Sequence, residues 1–224
     1  MTRLAIFDLD GTLLDTAADL GDACNYALRQ CGFPEHPLGD YYQMVGRGIY
    51  NLFRAAVPYE YATEDNVQRM AGFFIPYYDA HKCDLTRPYD GIPEMLTALS
   101  AAGVRLAVAS NKYQDGAEKL VRHFFGDYGF VKILGQREGQ PIKPDPEIVS
   151  QILAAVPGVT REETIYVGDS NVDMQTGINA GVRTVGVTWG FRSREELAAY
   201  SPYALVDSPA GIVEAAGLSG AAVK

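Results

Sequence analysis

The chain has 224 residues, enough for about one and a half domains and for a core that needs neither disulfides nor metals. Apolar residues at 47% and charged residues at 21% exclude disordered and fibrous classes. Lys and Arg number 19 against 28 Asp and Glu, a formal net charge of −9. That balance argues against a nucleic-acid or anionic-membrane surface, so any anionic substrate must find local positive charge.

Taken in chain order, the first apolar run is Leu4-Ala5-Ile6-Phe7, ending at Asp8. Later runs cover Val104 to Ala109 (ending at Ser110), Phe130 to Leu134, Thr164 to Val167 (ending at Gly168-Asp169) and Thr184 to Thr188. Each has the length of a buried strand. Helical periodicity fills the gaps, over Pro93–Ala102, Gln114–Phe125, Pro146–Ala155, Met174–Ala180 and Ser193–Tyr200. Gly103 and Gly181 stand where helix C-termini take a left-handed residue. Such alternation predicts an α/β fold, a Rossmann-like parallel sheet with helices on both faces. From Thr16 to about Arg87 the alternation stops, and only helical patterns occur: one from Thr16, an expected N-cap, to Gly32, then about Asp40–Ala56 and Thr63–His81. An insertion of that size is too long for a loop. The expected division is therefore a core of residues 1–15 and 88–224 with a small all-helical cap, residues 16–87, inserted after the first strand. The tail after Gly217 reads as frayed.

Cys24, Cys31 and Cys83 are too few and scattered for a disulfide framework, and His36, His81 and His123 support no metal triad. No leader-like run opens the sequence, and no uncharged apolar stretch approaches membrane-spanning length. The expectation is a soluble cytoplasmic protein.

Ligands bind at the carboxyl ends of strands in an open parallel sheet, so Asp8, Ser110 and Asp169 should converge. In Asp8-Leu9-Asp10-Gly11-Thr12, two carboxylates two residues apart repel unless a cation or a proton sits between them. Oxygen ligands at that spacing suit Mg2+, while Gly11 permits a sharp turn that exposes backbone N–H groups. The same residues also read as a polar turn. Gly168-Asp169-Ser170-Asn171-Val172-Asp173 adds two carboxylates and also reads as a helix cap. Four aspartates at adjacent strand ends would repel strongly without a bound divalent cation. Ser110-Asn111-Lys112 suits phosphate oxygens, and Lys143 lies in the stiff run Pro141-Ile142-Lys143-Pro144-Asp145-Pro146, or is a surface lysine.

Phe7-Asp8-Leu9-Asp10-Gly11-Thr12-Leu13-Leu14-Asp15-Thr16, Ser110-Asn111-Lys112, Lys143-Pro144-Asp145-Pro146 and Gly168-Asp169-Ser170-Asn171-Val172-Asp173-Met174 closely resemble the four ordered motifs of the haloacid dehalogenase superfamily. The resemblance covers the whole chain and is strongest to its phosphoglycolate phosphatase group. It implies a Mg2+-dependent phosphatase of small phosphorylated metabolites, best matched by 2-phosphoglycolate. Asp8 would be the nucleophile and Asp10 the general acid and base. A halide leaves without a proton, so an acid at position 10 would be idle in a dehalogenase. Mg2+ would be held by Asp8, the Asp10 carbonyl and Asp169, with Asp173 acting through a water. Ser110, Asn111, Lys143 and the backbone of Leu9 to Gly11 would grip the phosphoryl group. Arg47, between Gly46 and Gly48 in the insertion, is either a substrate-selecting cation or a surface residue, and Lys82 reads as solvated. Other activities open to the same motifs are a phosphosugar mutase, a pyrophosphatase or nucleotide phosphatase, and a non-catalytic phosphate-binding module.

Overall fold

The structure, a computed structural model, describes residues 1–218, so the tail beyond them lies outside the described residues. Leu4–Phe7 forms β1, whose four side chains are all buried and alternate between the two faces of the sheet. The chain continues through β2 (Leu14–Asp15), α1 (Ala17–Cys31), α2 (Leu38–Met44), α3 (Ile49–Ala56), α4 (Glu64–His81) and β3 (Arg87–Pro88). Then follow α5 (Ile92–Ala101), β4 (Arg105–Tyr113), α6 (Gln114–Phe125), β5 (Lys132–Gln136), α7 (Glu147–Ala154), β6 (Thr164–Gly168), α8 (Asn171–Ala180), β7 (Arg183–Val187), α9 (Arg194–Ala198), β8 (Ala204–Val206) and α10 (Pro209–Ala215). Six strands pair in the order β5-β4-β1-β6-β7-β8, every pairing parallel. Strand order reverses on either side of β1, which makes the ends of β4, β1 and β6 the place where a ligand can enter. Helices α5, α6 and α10 cover one face, around Phe7, Leu96, Leu120 and Ile212. Helices α7 and α8 cover the other, around Ile6, Val149 and Ala180.

The stretch between β2 and β3 folds around its own apolar cluster, which includes Leu20, Leu28, Tyr41, Phe53, Met70 and Phe74. The chain leaves and returns through a short antiparallel ribbon, Leu14 opposite Pro88 and Asp15 opposite Arg87. The helical pattern over Asp40–Ala56 is broken in two, because Gly46 and Gly48 take φ of 113° and 83°, where side-chain-bearing residues are strained. Strand β4 runs past Ser110 to Tyr113, with a register shift against β5 between Ala109 and Tyr113. Strand β8 and helix α10 have no counterpart in the sequence reading: Ala204-Leu205-Val206 is too short to show a period and gains its place by pairing with β7. No helix among the described residues is long and apolar enough to cross a membrane.

Thr16 occupies the N-cap position of α1 but makes no capping bond, since its hydroxyl donates to Asp10. Asp19, in the first turn, instead clamps the returning chain. Its buried carboxylate accepts from the Leu85 N–H at 3.0 Å, the Thr86 N–H at 2.8 Å and the Thr86 hydroxyl at 2.7 Å. An Asp19→Ala substitution strands those donors beside the ribbon and should cost roughly 3 kcal/mol in denaturant unfolding, whereas loss of a mere first-turn charge would cost well under 1.

Candidate active site

Asp8 follows the last residue of β1, and its Oδ1 accepts from the Leu9 N–H at 2.7 Å and the Lys143 ammonium at 2.9 Å. Lys143 reaches in from the loop before α7, its peptide to Pro144 cis, and is buried. Its Nζ also donates to Asp173 Oδ1 at 2.8 Å and to the Ala109 carbonyl at 3.0 Å, so all three ammonium hydrogens are used. Asp173 sits one turn into α8 and closes a capping box with Ser170, accepting from the Ser170 hydroxyl at 2.6 Å and N–H at 3.1 Å. Asp169, just past β6, accepts from the Thr12 hydroxyl at 3.0 Å and the Phe191 N–H at 2.7 Å. Gly11 turns the chain against this carboxylate at φ 83°, and a Cβ there would stand 2.4 Å from Asp169 Oδ2.

One carboxylate oxygen each from Asp8, Asp169 and Asp173 lies within 4.8 Å of the others, and all three residues are buried. Burial first, then the Asp173, Asp169 and Asp10 charges, push the Asp8 carboxyl well above its usual range, against the pull of Lys143. Burial and Asp173 raise Asp169 to about 7. Lys143 is held well above an ordinary lysine: burial would lower it, but Asp173 and Asp8 outweigh that. An all-oxygen, buried, repelling set of this kind fits a hard divalent cation. Asp10 lies outside the cluster, as its Oδ1 accepts from the Thr16 hydroxyl at 2.7 Å and from Lys112 Nζ at 3.0 Å.

Asp8 and Asp10 open on one cavity of about 30 Å3, together with Ser110, Asn111, Lys112 and the insertion residues Leu20, Val45, Gly46, Gly48, Ile49 and Leu52. That is room for about two water molecules. Ser110 lines it with a hydroxyl that accepts from the Lys112 N–H at 3.2 Å and, among the described residues, is free to donate. Several residues assigned to the phosphoryl group are otherwise engaged. Leu9 N–H donates to Asp8 and Gly11 N–H to the Leu14 carbonyl, because the tight turn closes on itself. The Asn111 amide accepts from Lys143 N–H at 2.9 Å and donates to the Lys143 and Gly46 carbonyls at 3.2 Å each, fixing the lysine loop and touching the insertion. Lys112 is committed to Asp10 and lies 4.8 Å above the Tyr78 ring. Arg47 is exposed and faces a separate open groove of about 780 Å3, since only the glycine backbones on either side reach the cavity. Lys82 is buried rather than solvated, bonded to the Asp79 carbonyl at 2.7 Å and carboxylate at 3.1 Å.

Sequence reasoning missed Thr12 and Phe191, which hold Asp169, and Tyr166, whose hydroxyl reaches Asp173 at 3.4 Å. One signal was present: Trp189-Gly190-Phe191-Arg192 follows the carboxyl end of the fifth strand run, on the same edge of the sheet.

The family model of haloacid dehalogenase-like hydrolases matches residues 5–187. A phosphoglycolate phosphatase of Pseudomonas putida is 32% identical over 212 residues, covering 92% of this chain and 77% of its own length. One of Caulobacter vibrioides is 37% identical over 188 residues, covering 83% and 78%. The crystal structure of a Lactobacillus delbrueckii subsp. bulgaricus protein superposes with a TM-score of 0.88 at 33% identity, covering 98% of this chain and 100% of that one.

The Asp169 carboxyl, at about 7 against an ordinary 3.8, favours folding at low pH and loses that contribution as pH rises through 7. In metal-free protein, the Tm of Asp169→Asn relative to the unsubstituted chain should rise between about pH 5 and about pH 8.5. An equal Tm difference at both pH values would remove the electrostatic cost assigned to this carboxylate.

Proposed function

The chain belongs to the haloacid dehalogenase-like hydrolases and is a phosphatase of that family, and we propose that it hydrolyses 2-phosphoglycolate through an aspartyl-phosphate with Mg2+ as cofactor. The observation that carries the reading is the opening of Asp8 and Asp10 on one small cavity, with Lys143 at 2.9 Å from the Asp8 carboxylate. The named substrate is supported by the activity of the relatives, phosphoglycolate phosphatases that are 30–37% identical over most of the chain.

Asp8 attacks phosphorus, and the bond to the leaving oxygen breaks. Lys143 favours the charged form of the attacking carboxylate and orients it, against the repulsion of Asp169 and Asp173. Asp10 protonates the departing alkoxide and then takes a proton from the water that frees Asp8 and phosphate. Thr16 and Lys112 orient Asp10 for both steps. The Ser110 hydroxyl donates to a phosphoryl oxygen. Asp8, Asp169 and the Asp10 carbonyl would hold Mg2+, with Asp173 behind them. When bound, it neutralises charge between nucleophile and phosphate dianion. The helices between β2 and β3 act as the cap that excludes water from this cavity.

Phosphate release from 2-phosphoglycolate with Mg2+ is the direct test, and a chelator should stop it. Asp8→Asn should lower turnover by roughly a thousandfold or more while leaving Tm equal or higher, because repulsion is relieved. Retained turnover would displace Asp8 as nucleophile. Arg47→Ala should change kcat/KM by only about a factor of two, since the side chain faces away from the cavity. A selective rise in KM would bring Arg47 back to the substrate.

A further inference from the structure

The cavity on which Asp8 and Asp10 open is walled on its other side by insertion residues Leu20, Val45, Gly46, Gly48, Ile49 and Leu52, so how the insertion is held against the core decides the room above the reacting carboxylates. Some bonds between insertion and core lie close in sequence to the ribbon that joins them. Asp79 takes the Tyr113 hydroxyl at 2.7 Å and Lys119 at 3.4 Å. The turn Val45–Gly48, which lines the cavity, is far in sequence from both ribbon strands. Among the described residues, side-chain hydrogen bonds from the core reach this region, residues 42–48, from Asn111 and Arg192.

Arg192 carries most of that attachment. Its guanidinium donates to the Tyr42 carbonyl, and to the Gln43 and Val45 carbonyls at 3.1 Å each. Those of Tyr42 and Gln43 are carbonyls that the end of α2 leaves without helical partners, where the negative end of the helix dipole adds to the attraction, and Val45 is the extended residue that follows the helix. The Phe191 ring is buried in the insertion's apolar cluster, edge-on to Tyr42 at 5.7 Å. The other end of the same segment is fastened to the reaction site. Trp189 Nε1 donates to the Thr12 carbonyl at 3.1 Å, and Phe191 N–H donates to Asp169. Gly190 lies so close that a Cβ would stand 2.3 Å from both Asp169 Cβ and the Gly11 carbonyl oxygen.

We propose that Arg192 is a positioning residue: with Phe191 it latches the closed insertion and sets the Val45–Gly48 turn over the cavity, from a segment braced on Asp169 and the Gly11–Thr12 turn. The kinetic part rests on the phosphatase reading above. The attachment itself does not.

The test compares Arg192→Lys and Arg192→Ala with the unsubstituted protein in two ways. Lysine keeps the charge but cannot span three carbonyls. Hydrogen exchange of amides in residues 42–48 should quicken in both variants, more in Arg192→Ala, while amides of β1 and β6 keep their protection. With Mg2+, kcat/KM for 2-phosphoglycolate should fall roughly tenfold or more in Arg192→Ala and less in Arg192→Lys, as expected for lost charge-assisted bonds. Activity on p-nitrophenyl phosphate, whose good leaving group depends less on how the insertion is set over the site, should hold or fall much less. Unchanged exchange at residues 42–48, or equal losses on both esters, would overturn the latch. If the unsubstituted protein released phosphate from neither ester, the phosphatase reading would fall, and the exchange result alone would decide the latch.

Discussion

Three buried carboxylates and one lysine set the terms for the rest of this molecule. Asp8, Asp169 and Asp173 each present an oxygen within 4.8 Å of the others. In a medium that solvates charge poorly, such a group would protonate or push apart. Lys143 opposes this by bonding Asp8 and Asp173 at once, at 2.9 and 2.8 Å, and offsets part of the repulsion. Removing the lysine from such a buried arrangement typically costs about 3–5 kcal/mol, because the carboxylates lose their compensation. The residual excess of negative charge suits a divalent cation, which would in turn attract a phosphate dianion. A protein with a net charge of −9 can thus bind an anion, because the attraction is made locally.

The sheet exists to bring these groups together. Asp8, Asp169 and the Ser110–Lys112 segment come from β1, β6 and β4, which are neighbours in the middle of the sheet. Lys143 reaches the same point through Asn111, whose amide both accepts from and donates to the lysine's backbone. Each group is held by a rigid strand end or by a side chain locked on one. Such support is what a site needs to keep reacting atoms in place.

The insertion supplies the other wall. Its apolar cluster is separate from the two that cover the sheet, yet Phe191 of the core is buried in it. Contacts of this kind give the closed arrangement specific points of attachment: Arg192 on the end of α2, Asn111 on Gly46, and Asp79 between Tyr113 and Lys119. Arg47 shows the limit of reasoning from residue type. An arginine between two glycines suits an anion, but here the glycine backbones face the cavity and the guanidinium faces the outer groove.

Much was legible before folding, for definable reasons. Buried parallel strands are continuous apolar runs, so β1, β4 and β6 and the polar residues at their ends could be read directly. Strand ends and the turn after them put Asp8, Asp10, Asp169 and Asp173 on one edge, the resemblance to the four ordered motifs implied that Lys143 joins them, and the loss of strand–helix alternation after Thr16 marked the helical insertion. Other features had no local signature. Strand β8 is set by its pairing with β7, and the break between α2 and α3 by two glycine dihedrals. The partner of a polar side chain is decided by what the fold brings within 3 Å of it. That is why Lys112 pairs with Asp10, Asn111 with the lysine loop, Lys82 with Asp79 and Asp19 with the chain at residues 85 and 86. Sequence by itself determined which chemistry this protein carries and on which edge of which sheet. Only the tertiary structure decided which donors remain free for a ligand and which are spent holding the site together, because hydrogen bonds form between neighbours in space, and spacing along the chain does not record those neighbours.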